Sequence, residues 1–270
     1  MTRVPLSDPG ALLIVAFEGW NDAGDSATTA AQMVVDQNGH QPVLDIDPEE
    51  FFDFHIARPE VEHDSDGSRY LVWPTVTLYA PSHGDEESPL VLLGHEPSRL
   101  WKSFASQMVD HALSRGVEAI VFLGAMLADV PHSRPVKVTA TSDDPLIREH
   151  FDIEKSSYEG PVGVLTVLSL AAQEAGIPAL HLWAHVPHYV HTSPSPKVTL
   201  ALLEELEQRV GIVTDREDLE GEARRWEEGI DALASDDDDM SAYIESLEKT
   251  RDAAEAPEAK GEAIAEEFEK

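Results

Sequence analysis

Residues 12–30, LLIVAFEGWNDAGDSATTA, decide the fold because they read as a strand, a tight loop and a helix. Residues 12–17 form a continuous apolar run, which is typical of a parallel strand buried on both faces. Asp25 or Ser26 can cap a helix over residues 27–36. A strand that passes through a glycine-containing loop into a helix predicts an α/β sheet.

The loop has the spacing of a P-loop without its chemistry. Gly19 and Gly24 fit G-x-x-x-x-G-K-[ST] and Ser26 fits its last position, but Asp25 replaces the lysine that offsets phosphate charge. So acidic a loop would repel a triphosphate, and we interpret the similarity as accidental. Its acidity suits either a cationic or neutral hydroxylated ligand, or a structural network that anchors Trp20.

The composition excludes several classes of protein. The 270 residues include 52 acids and 19 bases, for a formal charge of −33. Such a surface repels nucleic acid and anionic membranes, so we expect neither as a partner. The chain has no cysteine, which excludes disulfides, zinc–thiolate sites and a cysteine nucleophile. No signal peptide and no apolar run of ~18 residues is present, so we expect a cytoplasmic protein.

The pattern of a strand followed by a helix repeats along the chain. Apolar runs at residues 90–93, 119–123 and 179–184 predict three more buried strands. Further helices are predicted to begin at Ser98, at Gly160-Pro161 and at Ser195-Pro196. This alternation predicts an α/β fold with a mostly parallel sheet and helices on both faces.

Two segments depart from that pattern. Residues 49–79 alternate in polarity around Asp66-Gly67, which predicts a β-hairpin or irregular strands added to the sheet. Residues 215–270 contain 21 acids and 7 bases, and apolar residues at a 4-3-4-3 spacing from Leu219 form a helical stripe. We predict an α/β domain over residues 1–212 and an acidic helical segment over residues 213–270, folded as a small helical hairpin.

Polar motifs follow each of the four predicted parallel strands. Ligands of open parallel sheets bind beyond the carboxyl ends of the strands. We therefore expect one shared rim, composed of Glu18, Asn21, Asp22, Glu96, Asp129, His132, Arg134, His185 and His188. Structural alternatives stay open, since Glu96 can cap the helix near Ser98 and Asp129 can pair with Arg134.

The chemistry of this rim is less defined than its position. The sequence contains no G-x-S-x-G, H-E-x-x-H or G-x-G-x-x-G motif. A carboxylate pair could perform acid–base catalysis, but the sequence does not fix the distance between the groups. The spacing of His185, His188 and His191 could suit a metal, yet Pro187 prevents a regular helix from aligning them. We expect no metal and no cofactor.

Five ordered motifs identify a resemblance to a known family. Together they resemble the PAC2 family of proteasome assembly chaperone 2-like proteins, in its actinobacterial form. Two of them add Trp20, Tyr158 and Glu159 to the candidate rim. The motifs are EGWNDAGDSA (18–27), LLGHEPSRLW (92–101), FLGAMLADVPHSRPV (122–136), SSYEGPVG (156–163) and LWAHVPHYVHTSPSPKVTLALL (182–203).

The resemblance implies a phosphorylase/hydrolase-like α/β fold and self-association, for which we expect a trimer. Relatives in eukaryotes and archaea assist assembly of the proteasome α-ring, so proteasome subunits are implied as possible partners. Such chaperones often end in a hydrophobic–Tyr–any tail, whereas this sequence ends AEEFEK, with Phe268 near the place of the tyrosine.

Two hypotheses for function follow. The first is a non-enzymatic protein of the assembly-chaperone or binding type. The alternative is a small-molecule hydrolase or phosphorylase, or a metabolite-binding protein, that uses the polar rim. Arg134 is the only arginine in the rim, so hydrolysis of a neutral substrate fits the charge better than phosphorolysis does.

Overall fold

The computed structural model describes residues 6–82, 88–190 and 194–256. Within these ranges the chain forms nine strands and eight α-helices. The strands are β1 (Leu12–Glu18), β2 (Gln41–Asp45), β3 (Glu60–His63), β4 (Arg69–Val72), β5 (Val76–Ala80), β6 (Leu90–His95), β7 (Ala119–Ala128), β8 (Val138–Thr141) and β9 (Ala179–Pro187). The helices are α1 (Ser26–Gln37), α2 (Pro48–Phe51), α3 (Trp101–Ser114), α4 (Pro145–Phe151), α5 (Val164–Glu174), α6 (Pro196–Val210), α7 (Glu217–Ser235) and α8 (Asp238–Glu255).

Seven of these strands form one sheet in the order β2-β5-β6-β1-β7-β9-β8. The four central strands β6, β1, β7 and β9 are parallel to one another. β5 and β8 run in the opposite direction, and β2 reverses again beside β5. Five of the seven strands therefore point the same way, which confirms the predicted mostly parallel sheet.

β1 lies in the middle of the sheet and is buried on both faces from Leu12 to Phe17. Helices α1 and α6 cover one face, where Ile14 and Ala16 belong to the core. Helices α3 and α5 cover the other face, where Val15 and Phe17 pack. Burying a Leu or Phe side chain stabilises the fold by about 1.5–3 kcal/mol, so this strand is a principal source of stability. The prediction of helices on both faces is confirmed.

The strands that the sequence did not reveal lie at the two edges of the sheet. β2 is almost wholly exposed and β8 only partly buried, so neither carries an apolar run. The predicted hairpin around Asp66-Gly67 exists as β3 and β4, which form a separate two-stranded sheet. Gly67 has φ +84°, a left-handed conformation that suits glycine. β5 alone from residues 49–79 joins the main sheet.

The predicted C-terminal helical hairpin is present as α7 and α8. α7 packs on α6, and Leu219 belongs to the same core cluster as the buried face of α6. Two ion pairs also hold the hairpin. Lys197 Nζ of α6 lies 2.6 Å from Glu227 of α7, and Arg134 Nε, after β7, lies 2.8 Å from Asp252 of α8. The domain boundary at residues 212/213 stays a prediction, and the chain end with Phe268 lies outside the described residues.

No helix within the described ranges is both long enough and apolar enough to cross a membrane.

Gly124 is required where β7 meets β9. It pairs directly with Trp183, and a Cβ at position 124 would lie 2.6 Å from the indole ring. We expect Gly124→Ala to lower the free energy of unfolding by about 1–3 kcal/mol in urea titration, because the ring must leave its place. Gly229→Ala is the control, since an added Cβ there meets nothing within 4 Å. It should gain up to about 1 kcal/mol of helix propensity. Equal stability of the two variants would contradict the packing argument.

Candidate functional site

The loop between β1 and α1 closes on the carboxylate of Asp22. Asp22 Oδ1 accepts a hydrogen bond from the Ala27 backbone N–H at 2.6 Å, and Oδ2 accepts from the Thr28 N–H at 3.2 Å and from the Thr28 hydroxyl. Asp22 therefore caps α1. The expectation that Asp25 or Ser26 would do so is wrong, because Asp25 adopts a left-handed conformation and its side chain makes no capping bond.

Asp22 is also an unusual carboxylate, since it is only 4% exposed. Burial raises its pKa to about 6, and the hydrogen bonds from Thr28 and Ala27 oppose that rise. The N-terminus of α1 likewise favours a negative charge at this position. Asp22 is thus a structural group whose charge is held at some cost, and all its described hydrogen-bond partners belong to its own loop and helix.

Glu96 caps a helix that is distant in sequence. Its Oε1 accepts from the Val164 N–H at 2.7 Å, at the start of α5, and from Asn21 Nδ2 at 3.0 Å. The alternative that it caps the helix near Ser98 is therefore wrong. Burial raises the pKa of Glu96. Gly163 permits the close approach, because a Cβ there would lie 2.3 Å from Asn21 Nδ2.

Three further residues of the predicted rim, Glu18, Tyr158 and Glu159, are more exposed to solvent than Asp22. Glu18 pairs with His95 at 3.1 Å, and both side chains are about half exposed. Tyr158 and Glu159 are exposed, and the Tyr158 hydroxyl donates to the Pro161 carbonyl at 2.9 Å. Both carboxylates, those of Glu18 and Glu159, are accessible to solvent.

Four exposed apolar side chains lie on segments that meet at the buried Asn21, and we call them the tryptophan face: Trp20, Met126, Tyr158 and Val162. Trp20 precedes Asn21 in the chain, and Met126 follows Ala125, whose N–H donates to the Asn21 carbonyl. Val162 precedes Gly163, which touches the Asn21 amide. Trp20 is 74% exposed and Tyr158 is 66% exposed.

Two further residues of the predicted rim, His132 and Arg134, are bound by the C-terminal hairpin. The buried His132 hydrogen-bonds through Nδ1 to the Tyr189 hydroxyl at 2.9 Å and through Nε2 to Asp231 of α7 at 3.0 Å. Arg134 makes two 2.8 Å bonds to Asp252 of α8 and one of 3.2 Å to Glu248. These side chains hold the hairpin on the sheet.

The proposed Asp129–Arg134 ion pair is wrong. Asp129 lies instead 3.4 Å from His188 and 3.4 Å from the Tyr243 hydroxyl. His185 Nε2 lies 2.9 Å from the Thr139 hydroxyl. The described hydrogen bonds and ion pairs of the predicted rim thus fall into two groups.

The first group comprises Glu18, Trp20, Asn21, Asp22, Glu96, Tyr158 and Glu159. The second comprises Asp129, His132, Arg134, His185 and His188.

Sequence reasoning missed the partners of the second group, namely Tyr189, Lys197, Asp231, Glu248 and Asp252. Tyr189 lies inside the motif HVPHYV and was available to it. The three acids lie among many on α7 and α8, and nothing in their spacing distinguishes them. Within the described ranges no three histidine or acidic side chains converge as a metal site would require, and His191 lies outside those ranges.

The comparisons with known proteins agree with this architecture. The sequence profile of the PAC2 family matches residues 16–234. A crystal structure of a PAC2 family protein from Streptomyces avermitilis is 40% identical, has a TM-score of 0.79, and aligns over 86% of this chain and 99% of its own. A proteasome-assembly chaperone homologue from Mycobacterium tuberculosis is 34% identical, with a TM-score of 0.78 and the same coverage.

A more distant likeness extends to archaea. An archaeal proteasome activator from Pyrococcus furiosus shares the fold at 16% identity, with a TM-score of 0.65 over 86% of this chain and 96% of its own. No curated protein sequence matches. The sheet, its covering helices and its motifs define an α/β protein with the fold of these relatives. The chain belongs to the PAC2 family.

The raised pKa of Asp22 predicts a pH-dependent contribution to stability. Its folded pKa of about 6 exceeds the ordinary 3.8, so the contribution is full below about pH 3.8 and is lost as pH rises through about 6. We expect the unfolding free energy of wild type relative to Asp22→Asn to fall by about 2 kcal/mol from pH 4.5 to 7.5. Urea titrations at each pH measure it.

Asp36→Asn, on the exposed side of the same helix, controls for the change in net charge. A wild-type-to-Asp22→Asn difference that stays constant with pH would show that Asp22 does not titrate in this range.

Proposed function

We propose that this protein is a non-enzymatic assembly-type protein that binds proteasome subunits through the tryptophan face. The observation that carries the proposal is the exposure of Trp20 and Tyr158 around acids that are already hydrogen-bonded. Tryptophan and tyrosine are enriched among the residues that dominate protein–protein binding energy. An exposed apolar surface whose neighbouring carboxylates are already hydrogen-bonded suits a protein partner better than a small polar ligand.

The arrangement of the carboxylates supports this reading. Asp22 and Glu96 complete the N-termini of α1 and α5, so each already serves as a helix cap. A cap is worth about 0.5–2 kcal/mol. Acid–base catalysis by either group would change the charge on a cap, which favours a structural role for both.

A phosphorylase would need a cationic side chain that is free to bind phosphate, and Arg134 does not meet that need. Arg134 is bound by Asp252 and Glu248, so it offers no open fork to phosphate. Metabolite binding without turnover is the least demanding alternative, and it still requires space at the rim. These points favour the assembly-type function.

The relatives suggest the partner. The M. tuberculosis homologue is described as a proteasome-assembly chaperone homologue, and the P. furiosus protein as a proteasome activator. We propose proteasome α-subunits as the partner and the cytoplasm as the site of action. A chain of net charge −33 would be steered towards a basic surface on such a subunit.

Removing the two aromatic side chains tests the proposed face. We expect Trp20→Ala and Tyr158→Ala each to weaken binding to purified proteasome α-subunits of the source organism by at least about tenfold. Isothermal titration calorimetry measures the affinity, and thermal unfolding should stay near that of wild type because both side chains are exposed.

Leu170→Ala is the matched control, since Leu170 is an exposed apolar residue of α5 outside the face. Wild-type affinity in both aromatic variants would remove the tryptophan face as the interface. Absence of any binding by wild type would remove the proteasome partner itself.

We further propose that the protein self-associates, with a trimer as the expected state, through the β3–β4 hairpin. Val61 and Leu71 pair across the two strands and are both exposed, Leu71 by 50%. Tyr70 and Val72 are exposed as well. A two-stranded hairpin is only marginally stable alone in water, so contact with a second copy would give these side chains the cover that their own chain does not.

Leu71→Asp tests this surface. We expect it to lower the mass measured by light scattering from a trimer to a monomer, because a buried unpaired carboxylate would oppose the contact. Val43→Asp, at an exposed position of the edge strand β2, is the control and should leave the mass unchanged. A wild-type mass in Leu71→Asp would place self-association elsewhere.

A further inference from the structure

A small cavity lies where the C-terminal hairpin meets the sheet. Its walls come from residues 130–137, from β9, from the first turn of α6 and from both hairpin helices. The cavity has a volume of about 10 Å³, which is room for one small occupant, and it is not fully enclosed. None of the four residues of the tryptophan face lines it.

The lining of this cavity is cationic. Arg134, Lys137, Lys197 and Arg251 line it together with His132 and His185, and no described lining residue is acidic. The whole chain has 52 acids and only 19 bases, so the gathering of four lysines and arginines runs against its composition. The remaining lining residues are Trp226 and small apolar side chains such as Val198.

Two of these four cations have their charge offset by the hairpin. Arg134 pairs with Asp252 and Glu248, and Lys197 pairs with Glu227, all of which lie outside the lining. Those pairs use the cationic groups to fasten the hairpin. They do not offset the charges of the other two cations in the lining, Lys137 and Arg251.

The other two cations are less satisfied. Arg251 bonds through Nη2 to Glu255 at 2.7 Å, but its buried Nε has no hydrogen-bond partner within the described part of the chain. Lys137 is exposed to solvent and makes no ion pair within those residues. A buried guanidinium N–H without an acceptor is unfavourable, so an acceptor in the cavity would stabilise the structure.

The charges of Lys137 and Arg251 both act on the pKa of His185. Burial lowers its pKa first, and the positive charges of Lys137 and Arg251 lower it further. Both charges therefore act at the same place in the structure. An anion between them and the imidazole would reverse that part of the shift.

We propose that the cavity is a binding site for one small inorganic anion of the size of chloride or bromide, held by Arg251 Nε and Lys137 beside His185. The anion accepts the unpartnered guanidinium N–H and offsets the two cations. A tetrahedral oxyanion such as phosphate is larger than either halide and would require the hairpin to move. The site thus joins the hairpin to the sheet through an ion.

Bromide tests the site because it can be located directly. Crystals of the full chain soaked in sodium bromide should show an anomalous peak between Arg251 and Lys137. In solution, bromide replacing gluconate at constant ionic strength should raise the melting temperature with saturation. It should also raise the pKa of His185, measured by NMR.

Two variants and one control sharpen the test. Arg251→Gln and Lys137→Gln should each weaken the apparent bromide affinity by about tenfold or more, since a charge-assisted hydrogen bond or a charge is lost. Lys249→Gln also removes a cation from α8, but Lys249 pairs with exposed Glu245 and does not line the cavity. It should bind bromide as wild type does.

Three results would overturn the proposal. One is an absent anomalous peak together with an unchanged melting temperature in bromide. Another is an equal response of Arg251→Gln and Lys249→Gln, which would mean general screening of charge. The third is stabilisation by phosphate without stabilisation by bromide, which would mean a larger site that opens with the hairpin.

Discussion

The capping of α1 by Asp22 is the interaction on which the functional end of the molecule depends. The carboxylate fixes the direction in which the chain leaves β1, and β1 is the strand between β6 and β7. Once this loop is set, the Asn21 carbonyl accepts from Ala125 of β7 and the Asn21 amide reaches Glu96 beyond β6. Three strand ends are thereby joined, and Trp20 is directed outwards.

The central part of the fold could be predicted because its signals are local. Residues 12–17 and 119–123 are unbroken apolar runs since parallel central strands are buried on both faces. The edge strands could not be predicted from the sequence, because β2 is exposed to solvent and its composition resembles that of a loop. β8 is held by its pairing with β9, which is a property of the whole sheet.

The candidate site was predictable in position and less so in role. Strand order places Glu18, Asp22 and Glu96 at one end of the sheet, as the rule for open parallel sheets requires. The rule does not say which acids face solvent. Glu96 reaches Val164, 68 residues further on, and His132 reaches Asp231. Such partners depend on how separate segments pack, and no spacing within either segment specifies them.

The acidic residues of the chain also differ in what they contact. Most acids face solvent, whereas Glu227, Asp231, Glu248 and Asp252 meet the basic residues and the histidine that the sheet presents to the hairpin. Exposed ion pairs contribute about 0–1 kcal/mol each, so these contacts set the orientation of the hairpin more than they fix its stability. Buried apolar residues such as Leu219 and Ile230 supply the stability.

The cap that Glu96 provides has a consequence for the order of folding. α5 has no side-chain cap from its own N-terminal residue, Gly163, so its first turn is completed only by a carboxylate from the end of β6. Glu96 precedes Val164 in the chain and therefore leaves the ribosome first. The acceptor is therefore synthesised before the N–H group that it caps, and the first turn of α5 is completed when it meets the end of β6.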